Sequence, residues 1–206
     1  MFQTALTRLR ESRAAEQSGE AGTEAGFTLI ELMVVLLIMG ILLAIAIPTF
    51  LGVTKGAHYK AAQSNLENAL TAAKSYQGSN QSYSSLNTTV MRSSEPSLTY
   101  TTGTVGTTAN NISIGVGSGG GTVVLAAFAA GGNGCWVVLD TTHQTSTNIS
   151  STIDGVTGTY TNVANAGTWY GAYPSKAGAS CSAGNAVTDV AATTGTGWKT
   201  SFPAAP

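Results

Sequence analysis

Charge is what this chain has least of. Only 9% of its 206 residues are Asp, Glu, Lys or Arg, nine basic against ten acidic, for a formal net charge of −1. So sparse and balanced a charge excludes binding of polyanions by bulk electrostatics, and it excludes an acidic solvating tail. Histidine is scarcer still: His58 and His143 stand 85 positions apart, and with the few acidic residues available they do not suggest a metal cluster. Cys135 and Cys181 are the only cysteines. Asp140 and His143 lie near many hydroxyls, but no nucleophile elbow frames them, so an enzyme is not indicated and neither a metal nor a cofactor is expected.

What the chain does have is one long apolar stretch. From Phe27 to Phe50 run 24 residues whose only ionisable side chain is Glu31. As a helix this segment is about 36 Å long, enough to cross a hydrocarbon core of about 30 Å with some tilt. A carboxylate buried in lipid costs at least ~2.5 kcal/mol, so Glu31 calls for a specific partner. A chain cut between Gly26 and Phe27 would supply one, because the new α-amino group would lie at membrane depth as an unsatisfied positive charge. Between molecules packed side by side, one Glu31 could pair with the next Phe27 amine, which turns a burial penalty into an assembly rule.

Gly26 followed by Phe27-Thr28-Leu29-Ile30-Glu31-Leu32 and an apolar helix resembles the amino-terminal signature of type IV pilins and pseudopilins. The resemblance covers roughly Gly26 to Tyr76. It implies that a membrane prepilin peptidase cuts after Gly26 and that the Phe27 amine becomes methylated, with Glu31 as the assembly carboxylate. Gly40 and Pro48 stand where the family has helix-weakening residues. The implied partners are further copies of the chain in a homopolymer, the prepilin peptidase, the pilus assembly machinery and, before assembly, the cytoplasmic membrane. Ala25 and Glu24 depart from the basic or polar residue that often precedes the cleavage glycine, and the leader is long.

The competing readings are weaker. Ala44-Ile45-Ala46, with Arg8, Arg10 and Arg13 upstream, has the outline of a secretory signal. The apolar run exceeds the usual length of about 7 to 15 residues, however, carries a glutamate and continues into a helical pattern. A plain membrane anchor without polymerisation is the other alternative. A minor pilin for DNA uptake or adhesion needs a basic patch, and Lys55, Lys60, Lys74, Arg92, Lys176 and Lys199 are dispersed, so DNA is not indicated as a partner. A secretion pseudopilin would share the amino terminus.

Residues 1–26 alternate charge with Ala, Gly and Ser, with helix possible only near Leu6 to Ala15, and read as a cytoplasmic leader that is cleaved. It holds three arginines and four glutamates, so six residues of each sign remain and the mature chain is formally neutral. Residues 27–53 form the transmembrane and assembly helix. Across 54–78 the helix turns amphipathic, with Ala62, Leu66, Ala69, Leu70, Ala73 and Tyr76 at three- and four-residue spacing and a stop at Gly78-Ser79-Asn80.

Residues 79–206 form an extracytoplasmic β-rich head dominated by Gly, Ser, Thr and Asn. Candidate strands are Leu98–Thr102, Asn111–Val116, Thr122–Phe128, Cys135–Asp140, Gly158–Val163, Thr168–Tyr173 and Gly197–Phe202. Gly131-Gly132-Asn133-Gly134 is the strongest hairpin turn, and Asp154-Gly155 reads as another turn. The predicted class is α+β: a long amino-terminal helix packed on an antiparallel sheet. In an exported domain Cys135 and Cys181 predict a disulfide closing a loop of about 45 residues, worth about 4 kcal/mol; two free thiols are the alternative.

Gly115-Val116-Gly117-Ser118-Gly119-Gly120, with Asp140 twenty positions on, mimics a dinucleotide fingerprint. Thr122 to Ala130 is too short and too apolar for the crossover helix that this motif requires. Trp136, Trp169, Tyr170, Tyr173 and Trp198 read as core or subunit contacts. The Asn-x-Ser/Thr matches at Asn80, Asn87, Asn111 and Asn148 are near chance in so hydroxyl-rich a chain.

Overall fold

A computed structural model of the chain describes residues 26–206 apart from 107, 109, 132, 143–147, 154–155, 162–164, 176–180, 193–196 and 204–206. The leader as far as Ala25, His143, Lys176 and the Asp154-Gly155 turn lie outside the described residues. One helix, α1 (Leu29–Asn80), runs for 52 residues through Pro48. The chain divides into two units between Ile47 and Pro48. In the first, α1 is long and apolar enough to cross a membrane. The proline forfeits one amide hydrogen bond, and the helix continues beyond it.

In the second unit α1 becomes amphipathic as its spacing predicts. Ala62, Leu66, Ala69, Leu70 and Ala73 are buried, while Lys60, Ser64, Glu67, Asn68, Thr71 and Lys74 stay exposed. The helix overruns Gly78 and ends at Asn80, where Gln81 takes the left-handed conformation with φ 58°. Tertiary docking sets that stop. Two residues on, Tyr83 is buried and its amide donates to the Gly120 carbonyl at 2.7 Å, so the chain must turn there.

After a short helix α2 (Thr88–Ser94) come β1 (Thr99–Thr101), β2 (Asn111–Val116), β3 (Thr122–Ala129), β4 (Gly134–Thr141), β5 (Asn148–Ile153), β6 (Val156–Thr161), β7 (Gly167–Pro174) and helix α3 (Ala183–Ala192). One sheet has the order β1-β2-β3-β4-β7, and β5 with β6 forms a separate two-stranded sheet in contact with α3. β3 and β4 are buried along their whole length because the five-stranded sheet is covered on both faces. Ile112, Ile114, Val123, Leu125, Ala127, Trp136 and Val138 face α1. Val124, Ala126, Phe128, Val137, Leu139 and Tyr173 face the layer made by Cys181, Ala183, Ala186, Val190 and Trp198. Both parities of each central strand are therefore apolar, which explains runs such as Val123-Val124-Leu125-Ala126-Ala127-Phe128 without polar alternation.

Several expectations need correction. The sheet is not wholly antiparallel, because β1 pairs with β2 in parallel. Between them the chain leaves the sheet to bury Val105 against the α3 side, where its amide donates to the Cys181 carbonyl at 2.8 Å, and then re-enters in the same direction. Gly197–Phe202 is not a strand; it contributes a single bridge, Lys199 to Tyr170. Trp198 packs on the α3 side and Phe202 on the α1 side, whereas residues four apart in a strand share a face, so the segment wraps around the β7 edge. β5, α2 and α3 are additional to the elements that the sequence predicts. Both helices carry caps: Asn87 Oδ1 accepts from the Thr89 and Val90 amides, and Ser182 Oγ from the Asn185 amide.

The β3–β4 turn is as expected, with positive φ at Gly131 (83°) and Asn133 (54°). The hypothetical Cβ of Gly131 would lie 3.2 Å from the His58 ring, so a side chain there meets both a strained φ and the helix. The glycine-rich Gly115–Gly120 segment turns β2 into the antiparallel β3. With a strand where a crossover helix is required, it is not a dinucleotide site.

Leu66 is fully buried between α1 and the sheet. Leu66→Ala is expected to destabilise the head by about 2–5 kcal/mol, measured by denaturant unfolding of the detergent-solubilised chain.

Candidate functional site

Gly26 and Phe27 precede α1 outside any regular element, and Phe27 is 85% exposed. The helix begins at Leu29, which makes Thr28 its N-cap and Glu31 its third residue. The Thr28 amide donates to Glu31 Oε2 at 2.9 Å and the Thr28 hydroxyl donates to the same oxygen at 2.7 Å. In return the Glu31 amide donates to Thr28 Oγ1 at 3.3 Å. This is a capping box, in which the two residues satisfy each other's amides at the otherwise unpaired first turn. The carboxylate also sits where the helix macrodipole favours negative charge. The pattern Thr-x-x-Glu ahead of an apolar run was visible in the sequence, yet reading Glu31 only as an assembly residue passes over it. Among the described residues Glu31 Oε1 accepts no hydrogen bond, so the cap leaves one oxygen open to a further donor.

Beyond this cap α1 offers no compensation for its apolar surface. Its large apolar residues from Leu29 to Val53, like Phe27 ahead of it, are 47% to 85% exposed. Gly40 and Pro48 both lie within the helix, and no atom comes within 4 Å of a Cβ built on Gly40.

In the head Cys135 of β4 and Cys181, just before α3, form a disulfide with a Cα–Cα distance of 5.4 Å, both residues fully buried. The bond ties the sheet to the layer on its α3 side. Trp136, Tyr173 and Trp198 are buried in the core, and Trp169 and Tyr170 are half-buried.

Asp140, the acidic residue of the enzyme reading, is consumed structurally. Tyr83 donates its hydroxyl to Oδ2 at 2.6 Å, Thr168 donates to Oδ1 at 2.7 Å, and Lys74 Nζ lies 3.1 Å from Oδ1. Lys74 also donates to Thr168 Oγ1 at 2.6 Å. Four segments meet at one carboxylate whose side chain is 8% exposed: α1, the chain after it, β4 and β7. Burial and the donation to Asp140 hold the Tyr83 phenol far above its usual range. Burial, with Glu95 nearby, pushes Tyr100 up to about 12. Among the described residues no three His, Cys, Asp or Glu side chains are grouped to hold a metal ion.

Comparison with known proteins converges on the amino terminus. Residues 23–47 match the family model of the prokaryotic N-terminal methylation motif. Over 59 residues the chain is 48% identical to the type IV major pilin protein PilA of Myxococcus xanthus, a stretch covering 29% of this chain and 27% of that protein. Over 106 residues it is 35% identical to the type IV wide pilus major component PilA4 of Thermus thermophilus, covering 50% of this chain and 79% of that protein. The chain belongs to the type IV pilin family. No solved structure matches it. As a pilin it stands among structural, not catalytic, proteins, and its long apolar helix packed through its second half on a mostly antiparallel sheet is the pilin architecture.

Two predictions concern the head of this pilin. Asp140→Ala should destabilise it by about 3 kcal/mol, because the Tyr83 hydroxyl loses its acceptor in a buried site. Tyr83 and Tyr100 have raised phenol pKa values in the fold, so their contribution is fully present below pH 10.0, the ordinary tyrosine value. It is lost as pH rises from there to the folded values, because the unfolded chain ionises first. Unfolding followed across alkaline pH should show stability falling from about pH 10, and a smaller fall in a Tyr83→Phe, Tyr100→Phe double variant.

Proposed function

We propose that this pilin is the structural subunit of a type IV pilus and that it polymerises through its amino-terminal helix after a prepilin peptidase has cut between Gly26 and Phe27 and the Phe27 amine has been methylated. Before assembly the precursor waits in the cytoplasmic membrane as a single-pass protein, with residues 1–26 inside and the head outside. Residues 27–53 then leave lipid for a bundle of like helices, residues 54–78 continue each helix, and residues 79–206 form the outer surface. Extraction from the membrane is the task of the assembly machinery. Gly40 and Pro48 allow the helix to adjust its length in the bundle.

The observation that carries this reading is the exposed apolar surface of Leu29 to Val53, interrupted by one carboxylate that keeps a free oxygen. Lipid satisfies the apolar part and leaves the charge costly. A neighbouring helix whose amine meets Glu31 satisfies both. The Thr28 cap supports the pairing because it holds the carboxylate at the helix start, where the next subunit's terminus arrives.

The test is mass spectrometry of filaments sheared from cells that natively express the chain. An abundant peptide beginning at methylated Phe27 is expected; a peptide beginning at Ile47 would instead reveal a cleaved secretory signal. Glu31→Ala should leave cleavage at Gly26 largely intact and abolish filaments, and unimpaired filaments from this variant would sink the pairing. A bulky replacement of Gly26 should block processing.

A further inference from the structure

Lys60, Glu67 and Lys74 follow one another at seven-residue intervals along α1. Seven residues are close to two helical turns, so the three side chains share one stripe, distinct from the buried stripe of Ala62, Leu66, Ala69, Leu70 and Ala73, and of the three only Lys74 reaches the sheet. Lys74 is drawn to Asp140. Lys60 and Glu67 remain exposed. Lys60 Nζ donates to Gln63 Oε1 at 3.2 Å, which uses one of its three protons. The Glu67 carboxylate has no hydrogen bond or ion pair among the described residues. Two other carboxylates of the head are engaged: Glu95 accepts from Ser97 at 2.6 Å, and Asp140 is buried among donors. Glu67 and Lys60 of one helix stand about 10.5 Å apart along the axis, too far to pair with each other.

We propose that in the filament Glu67 of one copy pairs with Lys60 of the adjacent copy, which makes this stripe of α1 a subunit-to-subunit contact. The inference rests on the polymer proposed above. Two parallel helices displaced by seven residues, about 10.5 Å, bring the opposite charges level. The pairing of Glu31 with a neighbour's Phe27 displaces the neighbour in the same direction, by four residues or about 6 Å. The remaining ~4.5 Å is within reach of the flexible four-carbon lysine stem. Ala57 and Ser64, exposed beside the pair, are small enough for two helices to approach closely. Of the other exposed cations, Lys55 lies on a stripe about 120° around the helix from Glu67, and Arg92 and Lys199 lie off the helix. A single exposed pair is weak, but a polymer repeats it at every contact.

The experiment uses the full chain in cells that natively express it. Lys60→Glu and Glu67→Lys should each lower the recovery of sheared filaments about fivefold, since like charges then face each other at every contact, and the double exchange should restore it. A Lys60→Cys, Glu67→Cys double variant should give an intermolecular ladder in filaments treated with a flexible bis-maleimide, whose spacer replaces the reach of the lysine stem; the native Cys135–Cys181 bond is buried and does not interfere. Wild-type yields from both single variants, or cross-linking of Glu67→Cys to a cysteine at Arg92 or Lys199 and not at Lys60, overturns the pairing and leaves the proposed function standing. Absence of filaments from the wild-type chain overturns both.

Discussion

Nothing in the described fold covers the apolar side chains of α1 between Leu29 and Val53. An apolar helix of that length is intolerable in water, so the first half of α1 has two stable environments, lipid and other helices. The features around it bear on the passage between the two that the proposed polymerisation requires. The Thr28–Glu31 box settles the exposed first turn without consuming the carboxylate. Pro48 leaves the helix continuous while removing one of its hydrogen bonds, and beyond it the same helix acquires a buried stripe and becomes part of a folded domain.

The head is built to carry such a helix without adding apolar surface of its own. Its sheet is covered on both sides, by α1 on one face and by the layer around α3 on the other, and the disulfide joins the sheet to that second layer. The large exposed apolar residues among those described all belong to α1 and Phe27 just ahead of it. With residues 27–206 formally neutral, the head offers little hydrophobic or net electrostatic drive for association. Specificity then falls to individual groups, and the free Glu67 carboxylate on α1 is conspicuous because so few charges compete with it.

The buried tie at Asp140 illustrates how a polar group can be structural in a chain that has few of them. Its three donors come from α1, from the segment after α1 and from β7. Breaking one contact strands the others in a poorly solvated site, which makes the tie a cooperative fastening of helix to sheet. Sequence proximity to His143 suggests chemistry; the geometry shows both carboxylate oxygens already engaged by donors.

The sequence by itself determined the features that are local or periodic. Gly26 through Leu32 carries the pilin resemblance, the apolar run has the length of a membrane span, and the three- and four-residue spacing from Ala62 to Ala73 picks out the buried helix face residue by residue. The turn at Gly131–Gly134 was legible because left-handed residues, as at Gly131 and Asn133, favour Gly or Asn. Tertiary structure alone decided what depends on distant partners. The helix stops at Asn80 instead of Gly78 because Tyr83 is held by Gly120 and Asp140. β1 runs parallel to β2 because Val105 is buried on the far face, and Gly197–Phe202 wraps the sheet edge because Trp198 and Phe202 are claimed by opposite layers. α2 and α3 are short helices whose caps, Asn87 and Ser182, resemble ordinary turn residues until packing selects the helix. In each of these the residues tolerate more than one local conformation, and contacts tens of residues away supply the free energy that chooses between them.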